Sequence, residues 1–419
     1  MRIGFFIVIL GGIGTLFPAN LQAKLSVKIP ELQPEVSQNK ELPDYVKNLV
    51  RLRRDIIRSP YNYKNYGLLA GVYDFVQDYA SELEALQMQV RYMPEDAPDK
   101  DRVYSNLARA YLLNQQPQNA KVWLDKAQAL NADDVFTQWL FFTYHILQEE
   151  YTMAARVLKQ LDESKDTETE DFYYNAYEFC LEAIDDADTI IRLFRAGVKE
   201  NPQSAYAHRA LGIAIRNSTT DVATYKENIP EVMGEFKKAL SLDPDYVPTY
   251  ISAGNTYVLL TAWTQDPSYA EQALVWFDKA SAIEPDNQRL AFAYGNLYYH
   301  ANDYQKAIEK LEFAYEQGLK GGVLKETLAF AYNNRAYEIY QSGENLQQGM
   351  KMIRKAESLV PNNGIIIGTK AELLYKLGRY EQAHEYIQQA LKLEPGHKEM
   401  LQDKIMIEKA LDKAKEPAP

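Results

Sequence analysis

Residues 364–395 read GIIIGTKAELLYKLGRYEQAHEYIQQALKLEP, and the stretch closes on Pro395, 34 residues after Pro361. The same interval separates Pro60 from Pro94, and Pro202, Pro244 and Pro285 close phrases of similar or slightly greater length. Inside the quoted stretch apolar residues recur at helical spacing on both sides of Gly378. That pattern predicts two helices joined by a tight turn. A proline cannot continue the second helix, so it sets the step into the next phrase. A fixed period of this length is the signature of stacked helix pairs, in which each unit packs only on its neighbours. Helical periodicity continues from Tyr66 onward with no competing run of alternating β-branched residues, so the expected fold class is all-α.

The positions within the unit carry a more specific signal. Ala371, Gly378, Tyr380, Ala383, Ile387, Ala390 and Pro395 recur upstream as Gly295, Tyr298, Tyr304, Ala307, Leu311 and Ala314. By these small-residue, turn, aromatic and closing-proline positions the chain resembles the tetratricopeptide-repeat family, in the form of an exported bacterial protein. The resemblance implies a right-handed superhelical solenoid of about nine helix-turn-helix repeats. Units are expected over 63–94, 101–132, 135–166, 171–202, 205–244, 247–285, 288–319, 329–361 and 364–395, the third and fourth degenerate. Small residues at Gly212, Gly254, Gly295, Ala336 and Ala371 should let paired helices approach, with Phe236, Phe277, Leu311, Ile353 and Ile387 filling the space between units. Longer turns are expected over 217–230, 260–270 and 343–348, and the acidic stretch 162–171 reads as a solvated loop.

The flanks read separately. Arg2 precedes an uncharged, largely apolar run over 4–17, and Ala23 offers a small residue for cleavage. The run is too short for the roughly 20 residues that a spanning helix needs. Residues 1–23 are therefore expected to be a secretory signal peptide, with membrane anchoring only if it is retained. Residues 24–42 read as an extended linker and 43–60 as an N-terminal capping helix. Repeats 1–4 then occupy 61–202 and repeats 5–9 occupy 203–395. A C-terminal capping helix and tail fill 396–419, the helix over 401–415. Export to the periplasm is the expected location.

Of the 419 residues 46% are hydrophobic and 25% charged, with a net charge of −12. That balance describes ordinary folded material and argues against a nucleic-acid surface, which needs a basic field. Four arginines on the capping helix (Arg51, Arg53, Arg54 and Arg58) read as solvated surface rather than a docking patch. The single cysteine, Cys180, excludes an intramolecular disulfide and reads as a small buried hydrophobe. His145, His208, His300, His384 and His397 are isolated from one another, and no zinc, P-loop, nucleophile-elbow or dinucleotide motif occurs. No catalytic residue, metal ligand or cofactor is expected. The acid pairs at 133–134 and 185–186 read as helix caps.

Thirty-one tyrosines invite a binding role, but most recur at packing positions. A shorter set survives that subtraction. The family resemblance implies a concave groove lined by the first helix of each unit, and its stripe falls on these residues. Units five and six supply Arg209, Ile213, Arg216, Asn255 and Val258. Unit seven supplies Arg289, Phe292, Asn296, Tyr299 and His300. Units eight and nine supply Phe330, Asn333, Tyr337, Tyr340, Glu372 and Tyr375. Amides can pair with a peptide backbone while rings offer apolar pockets. The expected function is a non-enzymatic adaptor for a protein or peptide segment in the bacterial envelope. The alternative is a factor that binds glycan or its export machinery, since envelope proteins resembling this family also help to export or assemble polysaccharide. No nucleic acid and no stable membrane span after cleavage are expected.

Overall fold

The computed structural model describes residues 43–164, 171–319 and 321–415. The expected signal peptide, the 24–42 linker, the heart of the acidic stretch and the last four residues lie outside the described residues. Described residues 43–244 and 245–415 form two compact units. Each is a stack of antiparallel helix pairs.

The N-terminal unit opens with α1 (Asp44–Arg58), whose Leu49, Val50 and Leu52 are buried. Five pairs follow. They are α2 (Tyr63–Phe75) with α3 (Tyr79–Tyr92), α4 (Lys100–Leu113) with α5 (Pro117–Leu130), and α6 (Val135–Leu147) with α7 (Tyr151–Asp162). Then come α8 (Phe172–Ala183) with α9 (Ala187–Glu200), and α10 (Ala205–Asn217) with α11 (Val222–Leu242). In the fourth, degenerate pair α9 leans on α7 more than on α8. The C-terminal unit stacks four pairs. These are α12 (Val247–Thr264) with α13 (Pro267–Ile283) and α14 (Gln288–His300) with α15 (Tyr304–Glu316). Next are α16 (Gly322–Ser342) with α17 (Leu346–Leu359) and α18 (Gly364–Lys376) with α19 (Tyr380–Leu393). Helix α20 (Lys398–Lys415) closes it. Together these pairs are the helical-repeat solenoid that the proline period predicts.

The small and large positions meet as expected. A Cβ on Gly212 would lie 2.6 Å from the Phe236 ring, and one on Gly295 would lie 2.5 Å from Leu311 Cγ. Phe236, Phe277, Leu311, Ile353 and Ile387 have no exposed surface. Tight turns between paired helices place one residue in the left-handed region: Gln77, Gln115, Glu149, Asn302 and Gly378, with φ between 58° and 73°. The next one or two residues start the second helix, with Asp78 and Asp303 accepting from backbone N–H groups. Asp134 and Asp186, the second acid of each expected pair, cap α6 and α9. Cys180 is buried, which pushes its thiol up.

The three longer turns are corrected. Residues 222–230 are the first part of α11, and Tyr225 is 2% exposed, so the buried face runs through Pro230 rather than stopping there. Helix α12 continues to Thr264 because Leu260 and Thr261 are buried, and Asp266 caps a new helix almost at once. Between α16 and α17 only 343–345 are non-helical. The eighth pair also begins at Gly322 instead of 329, drawn forward by buried Leu324 and Leu328. The added residues of these units lengthen helices, which buries more apolar surface than a loop would.

Candidate functional site: the first-helix face of the C-terminal unit

Helices α12, α14, α16 and α18 are the first members of their pairs, and each packs on the next, with α18 packing on α20. Thirteen of the sixteen stripe residues stand on these four helices: Asn255 and Val258 on α12, Arg289, Phe292, Asn296, Tyr299 and His300 on α14, Phe330, Asn333, Tyr337 and Tyr340 on α16, and Glu372 and Tyr375 on α18. Arg209, Ile213 and Arg216 belong to α10 of the N-terminal unit.

Burial divides the set. Phe292, Tyr299, Tyr340 and Tyr375 are half-buried, with part of each ring packed against the core of the C-terminal unit. Phe330, His300, Asn255 and Asn296 are also half-buried, while Arg289 and Tyr337 are exposed, Tyr337 at 40%. The rings form local pairs. Tyr337 and Tyr340 lie 5.7 Å apart, Tyr299 lies 5.2 Å from His300 and 5.9 Å from Tyr304, and Tyr375 lies 5.7 Å from Tyr380. The Lys376 ammonium sits over the Tyr340 ring at 5.3 Å. No side-chain hydrogen bond engages the amides of Asn255 and Asn296 among the described residues.

Four expected stripe members are buried instead of lining a groove: Ile213 and Val258 are taken into the apolar core, and Arg209 and Asn333 are held by polar partners. Arg209 is 9% exposed because its guanidinium pairs with Asp171 at 2.5 Å and stacks on Tyr174 at 4.8 Å, tying α10 to α8. Asn333 is 3% exposed, turned into the helix packing, where its Nδ2 donates to Asn334 at 3.3 Å. Arg216 is half-buried and donates through Nε to Asn217.

The C-terminal end of the face carries a carboxyl pair. Burial, and then the neighbouring Asp403 of α20, push Glu372 up to about 8, and Asp403 is raised as well. Burial first, then Glu372 and Asp403, push the Tyr340 hydroxyl up to about 12. Beside Tyr375 a shallow recess is lined by Gln402, Ile405, Met406 and Lys409 of α20. The capping helix thus extends the face, a contribution that unit-by-unit reading of the repeats misses because α20 lacks the repeat's signature residues.

A second recess lies in the N-terminal unit and was not among the expected residues. About 460 Å³ in volume, it is bounded by α2, α3 and α4. Gly71 stands on α2 at the position held by Ile213, Asn255, Asn296 and Tyr337 in later units, and that small residue was the available signal. Arg109 Nη2 donates to Glu82 Oε1 at 2.6 Å and pairs with Asp74 at 2.9 Å. Glu82 is 2% exposed. The arginines of α1 remain exposed as expected, Arg53 donating to the Tyr73 hydroxyl at 3.0 Å.

Among the described residues no group of three or more His, Cys, Asp or Glu could hold a metal ion. No described helix is long and apolar enough to cross a membrane.

Two segments, 101–134 and 368–397, match family models described as tetratricopeptide repeat. Protein unc-45 homolog B of Xenopus laevis is 32% identical over 108 residues, 26% of this chain and 11% of that protein. This chain therefore spans about a tenth of that relative. Among solved structures, pilF of Pseudomonas aeruginosa aligns over 61% of this chain and 99% of its own, at 17% identity and a TM-score of 0.40. YrrB, described as a TPR protein with an unusual peptide-binding site, aligns over 50% and 97%, at 18% identity and a TM-score of 0.37. Repeats of this kind serve as protein–protein interaction scaffolds. The two matched segments fall on the α4–α5 and α18–α19 pairs, so the chain carries tetratricopeptide repeats there, and the same helix pairing is repeated between and around them.

Proposed function

We propose that the chain is a non-enzymatic adaptor of the cell envelope that holds an extended protein segment against the first-helix face of its C-terminal unit. The observation that carries this reading is the pairing of unengaged, half-buried amides at Asn255 and Asn296 with half-open rings at Phe292, Tyr299, Tyr340 and Tyr375. Amides can satisfy the backbone of an extended segment, and the rings offer its side chains apolar footholds already fixed by the core. A glycan would ask for a row of open ring faces. Tyr337 is the most open ring of the set, while the others keep one side in the core, so the protein reading is favoured. The envelope location rests on the basic start and apolar run of residues 2–17.

A photoreactive phenylalanine analogue placed at Tyr337 in the native cell tests the binding reading. The expected result is a discrete protein adduct that Asn296→Arg removes. Absence of any protein adduct, or an adduct indifferent to Asn296→Arg, overturns it. Cell fractionation with N-terminal sequencing of the native protein tests the location; a cytoplasmic chain that retains residues 1–23 refutes export.

A further inference from the structure

In the N-terminal unit, Glu82 is 2% exposed and lines the recess between α2, α3 and α4. Its Oε1 accepts from Arg109, whereas its Oε2 has no hydrogen-bond partner. A buried carboxylate oxygen left unpaired is costly, and it is relieved by a donor brought from outside. The Arg109 nitrogen that serves Glu82 is shared with Asp74, so once Glu82 is ionised two carboxylates divide one guanidinium and the floor of the recess is short of one positive charge.

The remaining walls narrow the choice of donor. Leu68 is 59% exposed and lines the same recess. A Cβ on Gly71 would meet nothing within 4 Å, so that wall is open space. On the rim, the Arg102 guanidinium lies over the Phe136 ring at 4.4 Å, and the Lys64 ammonium lies 5.9 Å from the Tyr63 ring. Asp99 accepts from the Tyr63 hydroxyl. An occupant therefore needs an apolar stem to lie beside Leu68 and a cationic, multiply donating head to reach Glu82 and Asp74. A lysine side chain has both.

We infer that this recess is a second docking site, one that takes a lysine side chain presented by a partner protein, with Glu82 Oε2 and Asp74 receiving its ammonium and Leu68 covering its stem. The site is separate from the face of the C-terminal unit and stands without it.

Titration of the full chain with the tripeptide Ac-Ala-Lys-Ala-NH2, against its norleucine and glutamate counterparts, tests the inference. The lysine peptide is expected to bind at least about tenfold more tightly than either counterpart. Glu82→Gln is expected to weaken it by about tenfold or more. Because Glu82→Gln can disturb folding, Gly71→Leu provides a second variant. It fills open space, replaces a glycine within a helix and is expected to keep or raise the melting temperature while abolishing lysine binding. Undetectable lysine binding, equal binding of the norleucine peptide, tighter binding of the glutamate peptide, or an unaffected Gly71→Leu variant each overturns the site. The adduct at Tyr337 should be unchanged in Gly71→Leu, so failure here is distinguishable from failure of the C-terminal face.

Discussion

The ring edge of Phe277 lies where a side chain on Gly254 would begin. In the same way the Phe236 ring closes on Gly212, so in the fifth and sixth pairs the second helix contributes a ring and the first contributes no side chain at all. In the eighth and ninth pairs the corresponding residues are Ala336 with Ile353 and Ala371 with Ile387, all fully buried. A larger residue on one helix is matched by a smaller one on its partner, as close packing demands. Gly254→Ala should therefore overpack the pair and destabilise the C-terminal unit by about 1–3 kcal/mol. Phe277→Leu in the same chain should recover part of that loss. Denaturant melts of the single and double variants check both statements. An additive double variant would mean that the two sites do not share the volume.

The turns offer a prediction of opposite sign. Glu149 holds φ at 58° between α6 and α7, the turn position that Gly378 occupies in the last pair at 73°. A non-glycine residue pays about 1–2 kcal/mol in the left-handed region, and glycine escapes that cost while losing more entropy on folding. Glu149→Gly should stabilise the N-terminal unit by up to about 1 kcal/mol, and Gly378→Ala should destabilise the C-terminal unit by about 1 kcal/mol. Thermal melts of the two variants should move in opposite directions.

The period of prolines made the helix pairs legible because each proline marks a step that every unit must repeat. Pairing was legible too, since Gly212 and Phe236 declare their contact through size alone. Helix ends were less so. Pro230 reads as a stop in isolation, yet buried Tyr225 and Val232 on either side carry the helix through it. Tertiary burial outweighed local propensity there. For the candidate site, register placed residues on the first helices of their pairs but could not say which were turned inward. Arg209 needed its distant partner Asp171, 38 positions earlier in the chain, to be seen as buried. The Glu82 recess was hidden for a related reason, since its chemistry arises from three helices of two successive units and no one segment contains it.

Glu82 also makes stability depend on pH. Burial is the main cause that pushes its carboxyl from 4.5 up to about 7, with Asp74 adding to the rise and Arg109 opposing it. Between those values the folded chain binds more protons than the unfolded chain. Stability of the N-terminal unit should therefore fall as pH rises from about 4.5 to about 7 and level off above, by at most on the order of 3 kcal/mol. Glu82→Gln should flatten that stretch of the profile. A series of denaturant melts across this range, wild type against variant, provides the measurement. A parallel dependence in both chains would assign it to other groups.

The same reasoning at the other end of the chain concerns Glu372 of α18 and Asp403 of α20. Desolvation is the first cause of the rise of Glu372 to about 8, and Asp403 is the second. Asp403 is raised by its own burial, with Glu399 adding to the rise and with Glu372 and His397 acting against it. Their joint proton is retained on folding and lost as pH climbs, so the attachment of α20 should weaken as pH rises from about 4.5 to about 8 and level off above. Because α20 packs mainly on α19 and α18, its release need not unfold the pairs beneath it. Amide hydrogen exchange in Lys398–Lys415 should accelerate over that range beyond the intrinsic effect of pH, while exchange in α16 and α17 stays protected. Glu372→Gln keeps a donor facing Asp403 and carries no proton to lose, so its α20 should stay docked at pH 9. Exchange in α20 that accelerates equally in wild type and variant would show that the carboxyl pair does not hold the cap.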